Sequence, residues 1–183
     1  MTETRSELLK IIEARALKRG TFTLASGRTA SFYLDAKQVV LNSHGAMLVG
    51  KAILERLQSF GELPDAIGGM SIGADPITGA AVTIAGTAGL PLKGFMVRKE
   101  PKGHGAGNQV EGRFGLPDGA KVCMLEDTVT TGGSLLKAIH AVESAGLEVV
   151  QIICVVDRSE GAAERFAESG YTLEALATRE DII

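Results

Sequence analysis

In VCMLEDTVTTGGS (122–134) four apolar residues lead into adjacent carboxylates, Glu126 and Asp127, and then into a run of Thr, Gly and Ser that precedes a helical pattern. Each part has a chemical use. Gly132 and Gly133 let the backbone approach a phosphate closely, Thr128, Thr130, Thr131 and Ser134 add hydroxyl donors around Val129, and a helix start offers free N–H groups and a positive dipole end. This is a phosphate cradle without a lysine. Carboxylates repel a phosphate in direct contact, so Glu126 and Asp127 suit hydrogen bonds from neighbouring sugar hydroxyls, or a bias on a nearby Mg²⁺. A phosphorylated sugar satisfies both halves. Neither the GxxxxGK[ST] loop nor a GxGxxG fingerprint after a strand is present, which sets aside the common nucleotide-binding alternatives.

A second group is cationic. Arg98, Lys99, Lys102 and His104 fall within seven residues, among Gly103, Gly105, Gly107 and Gly112. So polar and glycine-rich a segment cannot pack a core, but it can swing over a site, bring several cations to a multiply charged anion such as pyrophosphate and exclude water. A solvated hairpin with chance positive charge is the plainer reading of these residues alone. A third group is Asp157-Arg158 at the end of an apolar run, where Arg158 can fork onto a carboxylate or simply pair with Asp157 or Glu160. His44, before a helix, and His140, on the outer side of one, need no chemical role.

The elements that must position these groups follow from periodicity. Leu8, Leu9, Ile12 and Ala16 predict an amphipathic helix ended by Gly20. Residues 21–42 predict two short strands around Ser26-Gly27, and residues 43–60 a helix. Strand, glycine-rich loop and helix then alternate. AIGGM (66–70) leads to SIGAD and a helix from Pro76 capped by Asp75; PLKGFMV (91–97) leads into the basic segment. KVCML (121–125) leads to EDTVTTGGS and the helix LLKAIHAVESAG; VVQIICVV (149–156) leads to DRSEG and a short helix, AAERFAESG. Such alternation predicts an α/β fold, a mostly parallel sheet covered on both faces, with ligands at the carboxyl ends of the strands.

With 183 residues, 45% of them apolar, the chain has material for one core and one domain. A net charge of −3 gives no reason to expect nucleic acid or an anionic membrane as partner. Cys123 and Cys154 lie in apolar runs and read as reduced core thiols. The first twenty residues lack the apolar stretch of a signal peptide or membrane span, so a cytoplasmic protein is expected.

In order along almost the whole chain, these motifs resemble the orotate phosphoribosyltransferases, of the type I phosphoribosyltransferase family. VCMLEDTVTTGGS is similar to the family's ribose-5-phosphate motif, Arg-Lys-x-x-Lys-x-His-Gly to its catalytic loop, and FTLASGRTASFYLDAK (22–37) to its N-terminal substrate segment, with Phe22, Ser26, Gly27, Tyr33 and Asp35 at the pattern positions. The resemblance implies the type I phosphoribosyltransferase fold, with residues 1–42 as an N-terminal helix and hood and 43–183 as the core. It implies transfer of the phosphoribosyl group from phosphoribosyl diphosphate to orotate, with Mg²⁺ bound mainly through substrate rather than by direct protein ligands. It places Arg98, Lys99, Lys102, His104 and residues 126–134 on the phosphoribosyl diphosphate, and Ser26, Gly27, Thr130 and Arg158 on orotate. Lys99, Lys102, His104 and Asp127 take the catalytic roles. It also implies a homodimer whose 98–112 loop reaches the partner's site. Some members carry a lysine where this chain has Ala25, and another in the loop that here reads Ser71-Ile72-Gly73-Ala74-Asp75; whether Arg28 or Lys37 compensates is open at this point. The competing readings are a transferase for a purine or uracil, and a non-catalytic regulator that senses phosphoribosyl diphosphate.

Overall fold

The computed structural model describes residues 2–23, 29–101, 109–113 and 115–183. It opens with helix α1 (Glu3–Arg15), started by Thr2, whose hydroxyl accepts from the Arg5 N–H at 3.2 Å. The helix stops short of Gly20. Leu17 begins strand β1 (Leu17–Thr23), which pairs antiparallel with β2 (Thr29–Leu34) through Leu17↔Leu34 and Arg19↔Phe32. Strand pairing overrides the helical pattern here, and Gly20, at φ +153°, serves a bulge between Arg19 and Phe22 instead of ending a helix.

After two helices, α2 (Lys37–Val40) and α3 (Ser43–Ser59), come β3 (Ala66–Met70), α4 (Ala74–Thr87), β4 (Lys93–Val97) and the two-residue β5 (Val110–Glu111). The chain ends with β6 (Lys121–Val129), α5 (Gly133–Ser144), β7 (Glu148–Asp157), α6 (Ala162–Glu168), β8 (Leu173–Thr178) and α7 (Arg179–Ile182). The six-stranded sheet runs β5-β4-β3-β6-β7-β8 and is parallel except for β5, as the alternating pattern predicts. From β3 the chain moves outward to β4 and then returns to β6 on the other side of β3. This order reversal opens a crevice beyond the carboxyl ends of β3 and β6, where open α/β sheets bind ligands.

Both faces of β6 are buried. Cys123 and Leu125 pack with Leu8, Ile12, Leu48, Ile53 and Ile77 on the side of α1, α3 and α4. Val122 and Met124 pack with Leu135, Ile139, Val142 and Phe166 on the side of α5 and α6. Phe32 and Leu34 belong to the first cluster, so the β1–β2 hairpin is fastened to the same core as the sheet. Cys123 and Cys154 are buried free thiols, as expected.

Two boundaries and two further elements correct the sequence reading. β6 runs past Leu125 to Val129, so Glu126, Asp127 and Thr128 are strand residues, with Thr128 opposite Val156. α4 starts at Ala74, and Asp75 does not cap it; its Oδ1 accepts from Ser71 Oγ at 3.0 Å instead. Pro76 sits in the first turn, where a missing N–H costs nothing. β8 and α7 have no counterpart in the periodicity.

Candidate active site

The register of β6 carries Glu126 and Asp127 to the crevice, where they are only 8% and 7% exposed. Local backbone donors hold them: the Asp127 N–H donates to Glu126 Oε1 at 3.2 Å, and the Thr128 N–H to Asp127 Oδ1 at 2.7 Å. Burial, and after it the charge of Asp127, pushes the Glu126 carboxyl up to about 8. Lys37, at the start of α2, places Nζ 2.9 Å from Asp127 Oδ2, and this bond holds its ammonium above the ordinary lysine value. The loop after β3 comes equally close. A Cβ on Gly73 would lie 2.6 Å from Glu126 Oε1 and 2.8 Å from Asp127 Oδ1, so only glycine allows this approach.

Beyond the strand, Thr128 to Leu135 with Glu126 and Lys137 line a cavity of about 420 Å³. Gly132 turns the chain into α5 at φ +76°, seated on Phe166. Among the described residues no side chain caps α5, which leaves its first N–H groups open to a ligand. The cradle is not without a lysine, as the sequence suggested. Lys137, one turn into α5, lines it, and i, i+4 spacing from Gly133 was the signal available.

Arg98 and Lys99 emerge from β4. The Arg98 N–H donates to the Gln109 carbonyl at 2.9 Å, and its guanidinium pairs with Glu111 Oε1 at 3.0 Å. Lys99 lines a groove with Gln109, Arg113, Lys137 and His140. Lys102, His104, Ser26, Gly27 and Arg28 lie outside the described residues.

Arg158 follows β7, its N–H donating to the Val129 carbonyl at 2.9 Å, which ties it to the end of β6. Its guanidinium pairs with Glu160 at 2.9 Å and lies 5.6 Å from the centre of the Phe32 ring, with Arg179 at 5.3 Å from the same ring. Its Nε is buried and has no partner among the described residues. A forked donor with an unsatisfied nitrogen, backed by an aromatic plane, is suited to a planar carboxylate.

Residues 35–173 match the family model of the phosphoribosyl transferase domain. The orotate phosphoribosyltransferase of Rhodopirellula baltica is 51% identical over 178 residues, 95% of this chain and 91% of that one. The chain belongs to the orotate phosphoribosyltransferases. Among solved members, the Mycobacterium tuberculosis orotate phosphoribosyltransferase superposes with a TM-score of 0.83 at 36% identity, covering 98% of each chain. The same enzyme in complex with 5-phospho-α-D-ribosyl 1-diphosphate gives 0.79 at 32% identity, again over 98% of each.

Within this orotate phosphoribosyltransferase chain the structure brings Glu126, Asp127 and the 128–134 cradle to one end of the sheet, with Arg158 hydrogen-bonded to that end. Arg98 is held at the root of the basic segment by Glu111. Phe32 and Arg179 are additions that sequence reading did not place at the site, since each arrives through tertiary pairing; Lys37 stood there only as an open substitute for a missing lysine, and Gly73 only within the loop that lacks it.

Proposed function

We propose that the chain transfers the 5-phosphoribosyl group of 5-phospho-α-D-ribose 1-diphosphate to orotate, giving orotidine 5′-phosphate and pyrophosphate in pyrimidine nucleotide synthesis. The observation that carries this is an acidic pair and a phosphate cradle at a helix start on one strand, β6, to whose end Arg158 is hydrogen-bonded. In the reaction the C1–diphosphate bond breaks while a ring nitrogen of the base attacks from the opposite face. Positive charge grows on the sugar and negative charge on the leaving group, so placement and charge stabilisation supply the catalysis.

Residues Thr128 to Ser134 hold the 5-phosphate, and Glu126 and Asp127 accept from ribose hydroxyls. Arg158 takes the orotate carboxylate, with Thr130, Ser26 and Gly27 around the base. Arg98, Lys99, Lys102 and His104 neutralise the departing pyrophosphate. Among the described residues no three acidic, His or Cys side chains converge on a metal. Two carboxylates beside a phosphate site suit Mg²⁺, which keeps waters and leans on substrate oxygens. What the ion supplies when bound is neutralisation of the diphosphate. A homodimer in which the 98–112 loop covers the partner's site, and a place in the cytoplasm, complete the reading. Among the described residues no helix is long and apolar enough to cross a membrane.

An absorbance assay of orotate consumption with the phosphoribosyl donor, run beside adenine, hypoxanthine and uracil, tests the function. Turnover of orotate alone is expected. Turnover of another base in its place would move the chain to a different acceptor, and binding of the donor without turnover of any base would make it a sensor.

A further inference from the structure

The loop after β3 lies against the acidic pair through Gly73, yet Ser71 to Asp75 carries no cation and one carboxylate, Asp75. A leaving diphosphate brought to that loop meets no positive charge from it. A described cation does reach the acidic pair from elsewhere in the chain: Lys37, at the start of α2, whose Nζ donates to Asp127 Oδ2 at 2.9 Å. Its side chain is 49% exposed, whereas that of Asp127 is 10% exposed, so the lysine is the movable partner of the pair. Its root is fixed. The Lys37 N–H donates to Asp35 Oδ1 at 3.2 Å, and Val39 and Val40 anchor α2 in the core.

We propose that Lys37 is a diphosphate-binding residue of the donor site, substituting from the N-terminal segment for a cation that the 71–75 loop does not have. The inference rests on the phosphoribosyl transfer reading. Without donor, Lys37 occupies Asp127. When the ribose hydroxyls take the Asp127 oxygens, the ammonium loses its partner, and the nearest new anion is the diphosphate on C1, next to the hydroxyl-bearing carbons. Four methylenes give the side chain the reach for this exchange, and an ammonium with three rotatable donors suits a phosphate cluster. Lys37 thus links donor recognition to release of the internal ion pair.

Isothermal titration of the Lys37→Met variant with inorganic pyrophosphate and, separately, with ribose 5-phosphate, both with Mg²⁺ present, tests this. Pyrophosphate affinity should fall about tenfold, equivalent to about 1.4 kcal/mol. Ribose 5-phosphate affinity should stay level or rise, because Asp127 no longer has to be vacated. Lys37→Arg should restore pyrophosphate binding to within about twofold, and KM for the donor should rise in Lys37→Met while KM for orotate holds. Unchanged pyrophosphate affinity overturns the proposal. So does a parallel loss of both ligands, which would make Lys37 only an orienter of Asp127. Failure of the wild-type protein to consume orotate while it binds donor would instead strike the functional reading, leaving the pyrophosphate comparison intact.

Discussion

The Arg158 guanidinium is paired with Glu160 and lies 5.6 Å from the centre of the Phe32 ring. On the proposed reading the orotate carboxylate takes the place of Glu160 and offers a partner to the buried Nε. Arg158→Ala should raise KM for orotate by about thirtyfold or more, the lower end of what truncating a hydrogen-bonded charge pair costs. KM for the donor should move less than about twofold in the same steady-state assay. Glu126 gives a second prediction. Its carboxyl titrates near 8 in the fold against 4.5 for the free group. The folded state therefore holds more protons than the unfolded chain between those values, and stability falls as pH rises through that window. The contribution is fully present below about 4.5 and gone above about 8. Between pH 6 and pH 8 the unfolding free energy from urea titration should fall more in the wild type than in Glu126→Gln, by on the order of 1 kcal/mol per pH unit.

Gly132 and α5 pose the corresponding question for an element, since the left-handed turn at φ +76° and the closeness of the Phe166 ring both exclude a side chain. A methyl there would meet Phe166 Cε2 at 2.8 Å. Gly132→Ala should lower stability by about 1–3 kcal/mol and raise KM for the donor, because the free N–H groups of α5 shift with the turn. Thermal unfolding and donor titration of the same preparation check both. This turn was legible from its glycines; the strand before it was not. The apolar run stops at Leu125, and the pattern therefore ends β6 there, but pairing with β7 continues to Val129↔Asp157 and carries two carboxylates along. At the other end of the scale, LEALAT (173–178) is composed largely of helix formers and still pairs as β8, since a sheet edge beside β7 offers it a backbone ladder.

Across the whole molecule the site is a meeting of distant segments. Lys37 and Asp127 stand 90 residues apart, and the Arg158 N–H reaches the Val129 carbonyl from the end of the next strand. Spacing within a motif shows a cradle or an acidic pair, but it carries no information about which remote side chain will arrive there. That is why the 126–134 stretch was readable, while Lys37 stood only as an open alternative beside Arg28 and Phe32 was not placed at all. The antiparallel neck at β4 and β5 belongs to the same scale. Val97 pairs with Val110, and the next rung joins Arg98 to Gln109, so the intervening segment begins and ends on one rigid edge. Closing a flexible chain across such a neck costs an entropy that grows only with the logarithm of its length, about 0.6 kcal/mol per doubling. A Gly-Ser insertion between Lys102 and Gly105 should therefore leave the urea midpoint nearly where it was while turnover of orotate collapses. On the proposed reading, the neck makes length at this position almost free to the fold and decisive for the reaction.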